Sequence, residues 1–208
     1  MPRVRKEPAY TRLDVDERRR RLLALGAELF STHAYSELTM AGIAKAAGIS
    51  KPLLYHYFTS KQAFLRAALA ESAAEVASAV TSATDPHTPA LQQLSDGLGA
   101  FLGWIEEHGL AYRKLIENAG SVPEVSELVE SVREPTAARI LAGLSVGTNH
   151  KPPPPARAAV KAWLWFMDGA ILDWLTNRDF TREQLRDVLI AALLGALAAA
   201  GLQAQPVD

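Results

Sequence analysis

Residues 38–65 read Leu38-Thr39-Met40-Ala41-Gly42-Ile43-Ala44-Lys45-Ala46-Ala47-Gly48-Ile49-Ser50-Lys51-Pro52-Leu53-Leu54-Tyr55-His56-Tyr57-Phe58-Thr59-Ser60-Lys61-Gln62-Ala63-Phe64-Leu65. Two short helical patterns lie in this stretch, joined by Ala47-Gly48-Ile49-Ser50. Gly48 can take the left-handed conformation that ends a helix, and Ser50 can cap the next one. Ile43 and Ala47 share one face of the first pattern; Leu54 and Phe58 share one face of the second. Both faces can close over Leu25, Leu29 and Phe30 of a preceding helix. The spacing predicts a helix-turn-helix inside a three-helix unit, with the second short helix in the recognition position. The same pattern also occurs as plain scaffolding. A second reading therefore stays open: an all-α interaction or ligand-binding protein with a structural helix-turn-helix and no specific DNA binding.

Charge bears on the choice. The 208 residues carry a net charge of −1, which taken whole argues against a phosphate-binding protein. Residues 1–66 hold 12 Lys and Arg against 6 Asp and Glu, a balance of +6, and residues 67–208 hold 10 against 17, a balance of −7. Such asymmetry suggests two jobs. Lys51, Leu53, Tyr55, His56 and Tyr57 leave the second short helix a polar and aromatic outer face. Lys61 opens the next helix, where a cation is unfavourable beside the positive end of the dipole, and a phosphate there would remove the conflict. The acidic balance of the remainder fits a solvated surface that keeps it off DNA, or a cationic ligand.

Residues 15–66 resemble the DNA-binding module of the tetracycline-repressor-like (TetR) family of bacterial transcriptional regulators. Phe30, Thr39, Ile43-Ala44, Ala47-Gly48, Ser50, Leu54-Tyr55, Tyr57-Phe58 and Lys61 fall at the family's spacing. Leu53 departs from it, standing where the family has a small residue. The resemblance implies that Thr39, Tyr55, Tyr57 and Lys61 position phosphates, and that Lys51, Pro52, Leu53 and His56 point into the major groove. Lys can donate to guanine O6 and N7, and Pro or Leu can pack on a thymine methyl. Arg3 and Arg5 lie on a basic arm of the kind that can enter an adjacent minor groove. The run Arg18–Arg21 goes round its helix, so only part of it can face DNA.

Periodicity is helical nearly throughout, and β-branched residues are sparse. The expected fold class is all-α, with about nine helices near 14–32, 39–47, 51–57, 60–83, 88–107, 109–118, 123–145, 156–177 and 181–202. Asp14 with Glu17, Ser121 with Glu124 and Thr181 with Gln184 have capping-box spacing; Thr39, Ser50, Ser60 and Thr88 are further N-cap candidates. Pro135 is expected to kink or split its helix, and residues 151–155 read as an extended connector. The expected organisation is a flexible basic arm over 1–12, a helix-turn-helix DNA-binding domain over 13–59, and a helical ligand-binding and dimerisation domain over 60–208.

In the helix over 156–177, Val160, Leu164, Met167, Ile171 and Trp174 form one apolar stripe, and Trp163, Phe166, Ala170 and Asp173 form a second. The last helix adds Leu189, Leu193 and Ala196 among small residues. One chain can hardly cover so much apolar helix, so a homodimer through a four-helix bundle is expected, with Val160, Leu164, Met167, Ile171, Trp174, Leu189, Leu193 and Ala196 at its interface. The resemblance implies the same assembly and a small-molecule effector among the middle helices. Phe101, Trp104, His108, Tyr112, Asn118, Phe166, Asp168 and Asp173 are its candidate contacts.

Several function classes drop out. There is no cysteine, hence no thiol catalysis and no Cys-ligated zinc. The five histidines form no H-x-x-x-H pair, so no metal or other cofactor is expected. Gly143-Leu144-Ser145-Val146-Gly147 matches G-x-S-x-G, but it lacks a preceding strand and a Ser-acid-His order, so no enzyme is expected. The apolar run Val188–Leu202 is too short to span a bilayer, and no secretory signal precedes the first helix. The expected partners are an operator duplex, a second copy and an effector, in the cytoplasm at the nucleoid, with no membrane. The expected action is that of a repressor released by its ligand.

Overall fold

The computed structural model describes residues 15–144 and 152–202. Arg3 and Arg5, Asp14, and Ser145 through Gly147 lie outside them. Among the described residues there are eight α-helices, a 3-10 turn at Tyr35–Glu37 and no strand. The helices are α1 (Val15–Thr32), α2 (Met40–Ala46), α3 (Lys51–Tyr57), α4 (Lys61–Ala83), α5 (Ala90–Ala119), α6 (Pro123–Leu144), α7 (Pro154–Asn177) and α8 (Arg182–Ala199).

The helix starts follow local chemistry. Thr39, Ser50 and Ser60 each accept a backbone N–H from three residues on, at 3.1, 3.3 and 3.0 Å. Thr181 and Gln184 form a reciprocal capping box. Thr88 does not cap, because its hydroxyl turns back to the Asp85 carbonyl and Pro89 occupies the N-cap position. Gly48 takes φ +64° and ends α2.

The helix boundaries bear on three expectations. α5 (Ala90–Ala119) is two helical stretches joined across a kink at His108, φ −119° and ψ 21°, the position at which the sequence divides its helices. The His108 ring stacks on Trp104, and its Nδ1 lies 2.9 Å from the Trp104 carbonyl, within the distorted turn. α6 runs through Pro135 as one element, so the helix is not split there. Pro154 and Pro155 belong to α7 rather than to a connector. A first turn needs no N–H from its opening residues, so proline fits there.

Two packed units result. In the first, Leu22, Leu23, Met40, Ile43, Ala44, Leu54 and Phe58 close together with Phe64 and Ala68 of α4. Leu25 is only half-buried, so Leu22 and Leu23 do the work expected of it. The expected boundary at 59/60 therefore crosses a packed interface. Phe30 joins Leu38, Leu65, Val125 and Val129 in an adjoining cluster. The second unit packs α5, α7 and α8 around Leu102, Ile105, Val160, Ile171, Trp174, Leu189 and Leu193. The Trp163 indole donates to the Leu189 carbonyl at 2.8 Å and pins α7 to α8.

Candidate functional site

The outer face of α2 and α3 carries the recognition candidates. Thr39, Lys51, Pro52, Tyr55 and His56 are exposed, and Leu53, Tyr57 and Lys61 are half-buried. Thr39 Oγ1 caps α2 by accepting from Gly42 N, so its own hydroxyl proton is left to donate. Lys51 Nζ lies 5.8 Å from the centre of the Tyr55 ring. His56 meets Tyr57 edge-on at 5.6 Å, and Tyr57 also packs on the core beneath.

Two basic features have partners within the chain. Lys61 has partners inside the chain: its ammonium donates to the Tyr35 carbonyl at 2.9 Å and stands 3.9 Å from the Tyr35 ring centre. The conflict with the helix dipole is thus met within the protein, and Lys61 ties the start of α4 to the 3-10 turn. In the arginine run, Arg20 and Arg21 both pair with Glu17, at 3.1 and 3.0 Å. Arg19 lies 5.9 Å from the centre of the Phe58 ring.

A cavity of about 1,940 Å³ runs from α1 and α4 to α7 and α8. Leu23 and Phe30 of the first unit help to wall it, as do Leu193 and Leu197 of α8. Of the proposed effector contacts, Phe101, Trp104, His108, Tyr112, Asn118 and Asp168 line this one cavity. Phe166 and Asp173 do not: both are exposed, and Asp173 accepts from Asn177 at 2.9 Å. Inside the cavity the Tyr112 hydroxyl donates to Asp168 Oδ1 at 2.5 Å, and Arg133 donates to Asp168 Oδ2. Burial first, then the Asp168 charge and hydrogen bond, hold the Tyr112 hydroxyl well above its ordinary pKa, with Arg133 opposing. Tyr112 therefore remains a donor at neutral pH. Arg133 was not foreseen from the sequence. A lone arginine on a helix reads as surface, and only the fold brings it to Asp168 and to the Trp165 ring, 3.7 Å from the ring centre.

The expected dimer stripe needs correction. Val160, Leu164, Ile171, Trp174, Leu189 and Leu193 are buried within the single chain, and Met167 and Ala196 are half-buried. All of them except Ala196 belong to, or pack against, the core cluster that α5, α7 and α8 share. The apolar groups that α7 and α8 leave exposed are Trp165 at 59%, Phe166 at 45% and Val188 at 51%. Ala162 and Gly169 of α7 and Ala191 and Gly195 of α8 are exposed as well.

Comparison with known proteins fits this architecture. Residues 22–68 match the family described as bacterial regulatory proteins, tetR family, and residues 91–195 match the tetracyclin repressor-like C-terminal domain. The chain belongs to the TetR family of bacterial transcriptional regulators. That family consists of regulators rather than enzymes, and the reading as a non-DNA-binding scaffold is not favoured. The HTH-type transcriptional activator FasR of Mycolicibacterium smegmatis is 37% identical over 107 residues, covering 51% of this chain and 49% of that protein. The chain thus spans about half the length of this relative. A TetR-family regulator from Streptomyces coelicolor superposes with a TM-score of 0.76 at 29% identity, over 91% of this chain and 84% of that one. A TetR-like regulator from Rhodococcus sp. RHA1 gives 0.69 at 25% identity, over 90% and 99%. Among the described residues, no helix is long and apolar enough to cross a membrane.

Proposed function

We propose that this chain works as a homodimer in the cytoplasm, at the nucleoid. Its paired helix-turn-helix heads hold a palindromic operator, and a small molecule in the cavity releases it. The observation that carries this reading is the continuity of the cavity, whose wall includes Leu23 and Phe30 of the head as well as α5, α7 and α8. A ligand that moves α1 moves the recognition helix, and a changed separation of two heads changes affinity for a site of fixed half-site spacing. Lys51, Pro52, Leu53 and His56 read bases in this scheme, and Thr39, Tyr55 and Tyr57 hold phosphates. Lys61 acts through the 3-10 turn, and Arg3 and Arg5 reach the neighbouring minor groove. The dimer forms through the exposed α7 and α8 surface around Trp165, Phe166 and Val188. Repression is the expected sign, since a bound dimer occludes promoter DNA. FasR carries the name of an activator, so the sign is the part a relative does not support.

Footprinting on the DNA flanking the gene tests the reading. The expected result is protection of an inverted repeat that weakens steeply as salt rises, with transcription from that promoter falling on addition of protein. Absence of a protected site at low salt overturns the DNA-binding role. A rise in transcription overturns repression alone.

A further inference from the structure

We infer that the cavity takes an elongated, mainly apolar molecule with one uncharged hydrogen-bonding head, a hydroxyl or carbonyl, seated on the Tyr112–Asp168–Arg133 cluster. The inference rests on the ligand-responsive reading above and adds the chemistry of the ligand.

Size comes first. A drug-sized ligand fills roughly 300–1,000 Å³, and this cavity holds about 1,940 Å³. Along its length the wall is supplied by side chains such as Val76, Val80, Leu94, Leu98, Leu115 and Ile140. A long apolar body matches such a wall, because the gain from burial scales with apolar area removed from water.

Charge decides the head. Asp168 is the buried charged residue among those described, at 6% exposure. Arg133, whose side chain is 11% exposed, neutralises it directly. At the cluster the buried carboxylate and Arg133 thus neutralise each other, and Arg133 also reaches the more exposed Glu130 at 3.3 Å. The remaining charges on the wall are wetter. Arg20, Glu28, Glu75, Glu107 and Arg139 are exposed; Glu71 and Lys114 are half-exposed, and Lys114 pairs with Glu117. An ionic head at the cluster would add a third charge without a partner, and burying an unpaired ion is strongly unfavourable. A neutral head has no such cost. Each carboxylate oxygen can accept more than one hydrogen bond, and arginine has five N–H groups. A hydroxyl can therefore donate to Asp168 and accept from Arg133 while both existing bonds persist. His108 also lines the cavity, but its Nδ1 is engaged with the Trp104 carbonyl.

The test uses four probes with one ten-carbon chain: 1-decanol, decanoate, decylammonium and 1-chlorodecane. Each is titrated into the full chain below its aggregation limit, with binding read by calorimetry and thermal shift. Decanol is expected to bind about tenfold more tightly than either ion and than the headless chloride, a difference of about 1.4 kcal/mol. In D168N Arg133 keeps only the exposed Glu130 as a charged partner and shifts the preference to decanoate; in R133Q Asp168, left with Tyr112 alone, shifts it to decylammonium. An ion that binds wild-type protein as well as decanol overturns the inference. So does a headless chain that equals decanol, a failure of all four to bind, or a ranking unchanged in the folded variants. The wild-type ranking decides the matter even if neither variant folds. Operator affinity, followed in the same titrations, separates the two readings. The expected ranking without any change in operator affinity refutes ligand control and leaves the head assignment standing. Release by ions alone does the reverse.

Discussion

At Gly26 there is no room for a side chain. A Cβ there would lie 2.8 Å from Ala68 Cβ and 2.8 Å from Phe64 Cζ. α1 and α4 touch nearly backbone to backbone, and this contact holds the three-helix head against the first turns of α4. Gly26→Ala is expected to cost about 1–3 kcal/mol through overpacking, read as a lower midpoint in chemical denaturation. Tyr112 gives a second prediction at this scale. Its pKa is raised in the folded state, so its contribution to stability is complete below the ordinary tyrosine value of about 10. As pH climbs above that, the unfolded chain ionises Tyr112 first and stability drains away towards the folded-state value. Denaturation midpoints measured from pH 9 to 11 should fall more steeply for wild type than for Tyr112→Phe. What could be read in the sequence at single residues was local chemistry: the caps at Thr39, Ser50, Ser60 and Thr181 depend on spacings of three residues. The partners of Lys61 and Asp168 lie 26 and 35 positions away, and no local pattern encodes them.

Among the elements, Lys61 joins α4 to the 3-10 turn, whereas Lys51 stands on the open face of α3. The two should part company on mutation. Lys61→Ala is expected to lower thermal stability and to weaken all duplexes alike, because the turn before α2 loosens. Lys51→Ala is expected to leave stability within about 0.5 kcal/mol and to alter the ranking of duplex sequences in a competition assay. An unchanged ranking would remove Lys51 from the base-reading set. Helix boundaries were mostly legible because amphipathic periods and caps are carried by neighbouring residues. The break at position 108 was legible in the same way, since the sequence divides its helices there. Gly109 there approaches Leu175 of α7, whose Cδ2 would lie 2.7 Å from a Cβ. That contact belongs to helix packing, and no local pattern encodes it. α7 poses the converse problem. It is apolar on two faces, and periodicity cannot say which face meets α5 and which is left outside. The stripe through Val160 and Ile171 went inward, and Trp165 and Phe166 stayed on the surface.

For the whole molecule, the proposed homodimer rests on that surface. Trp165→Glu and Val188→Glu should each shift the protein towards monomer in sedimentation, with a loss of operator affinity of about tenfold or more, since one head forfeits the help of its tethered twin. Their helical content by circular dichroism should match wild type, because neither side chain is part of the buried core. An unchanged sedimentation coefficient would move the interface elsewhere. The split of +6 and −7 was open to inspection in the sequence from the start. The sharing of side chains between the two units was not, because it depends on how α4 leans across both.

The sharing of Leu23, Phe30 and Ala68 has a practical consequence. These residues belong to the apolar clusters around the recognition helices, and they also wall the cavity. The head is therefore not a portable cassette. Grafted onto another body at residue 59, it would leave behind Phe64 and Ala68 and present Leu23 to a foreign surface. A working chimera of this regulator would have to carry α4 along, and with it one side of the cavity wall.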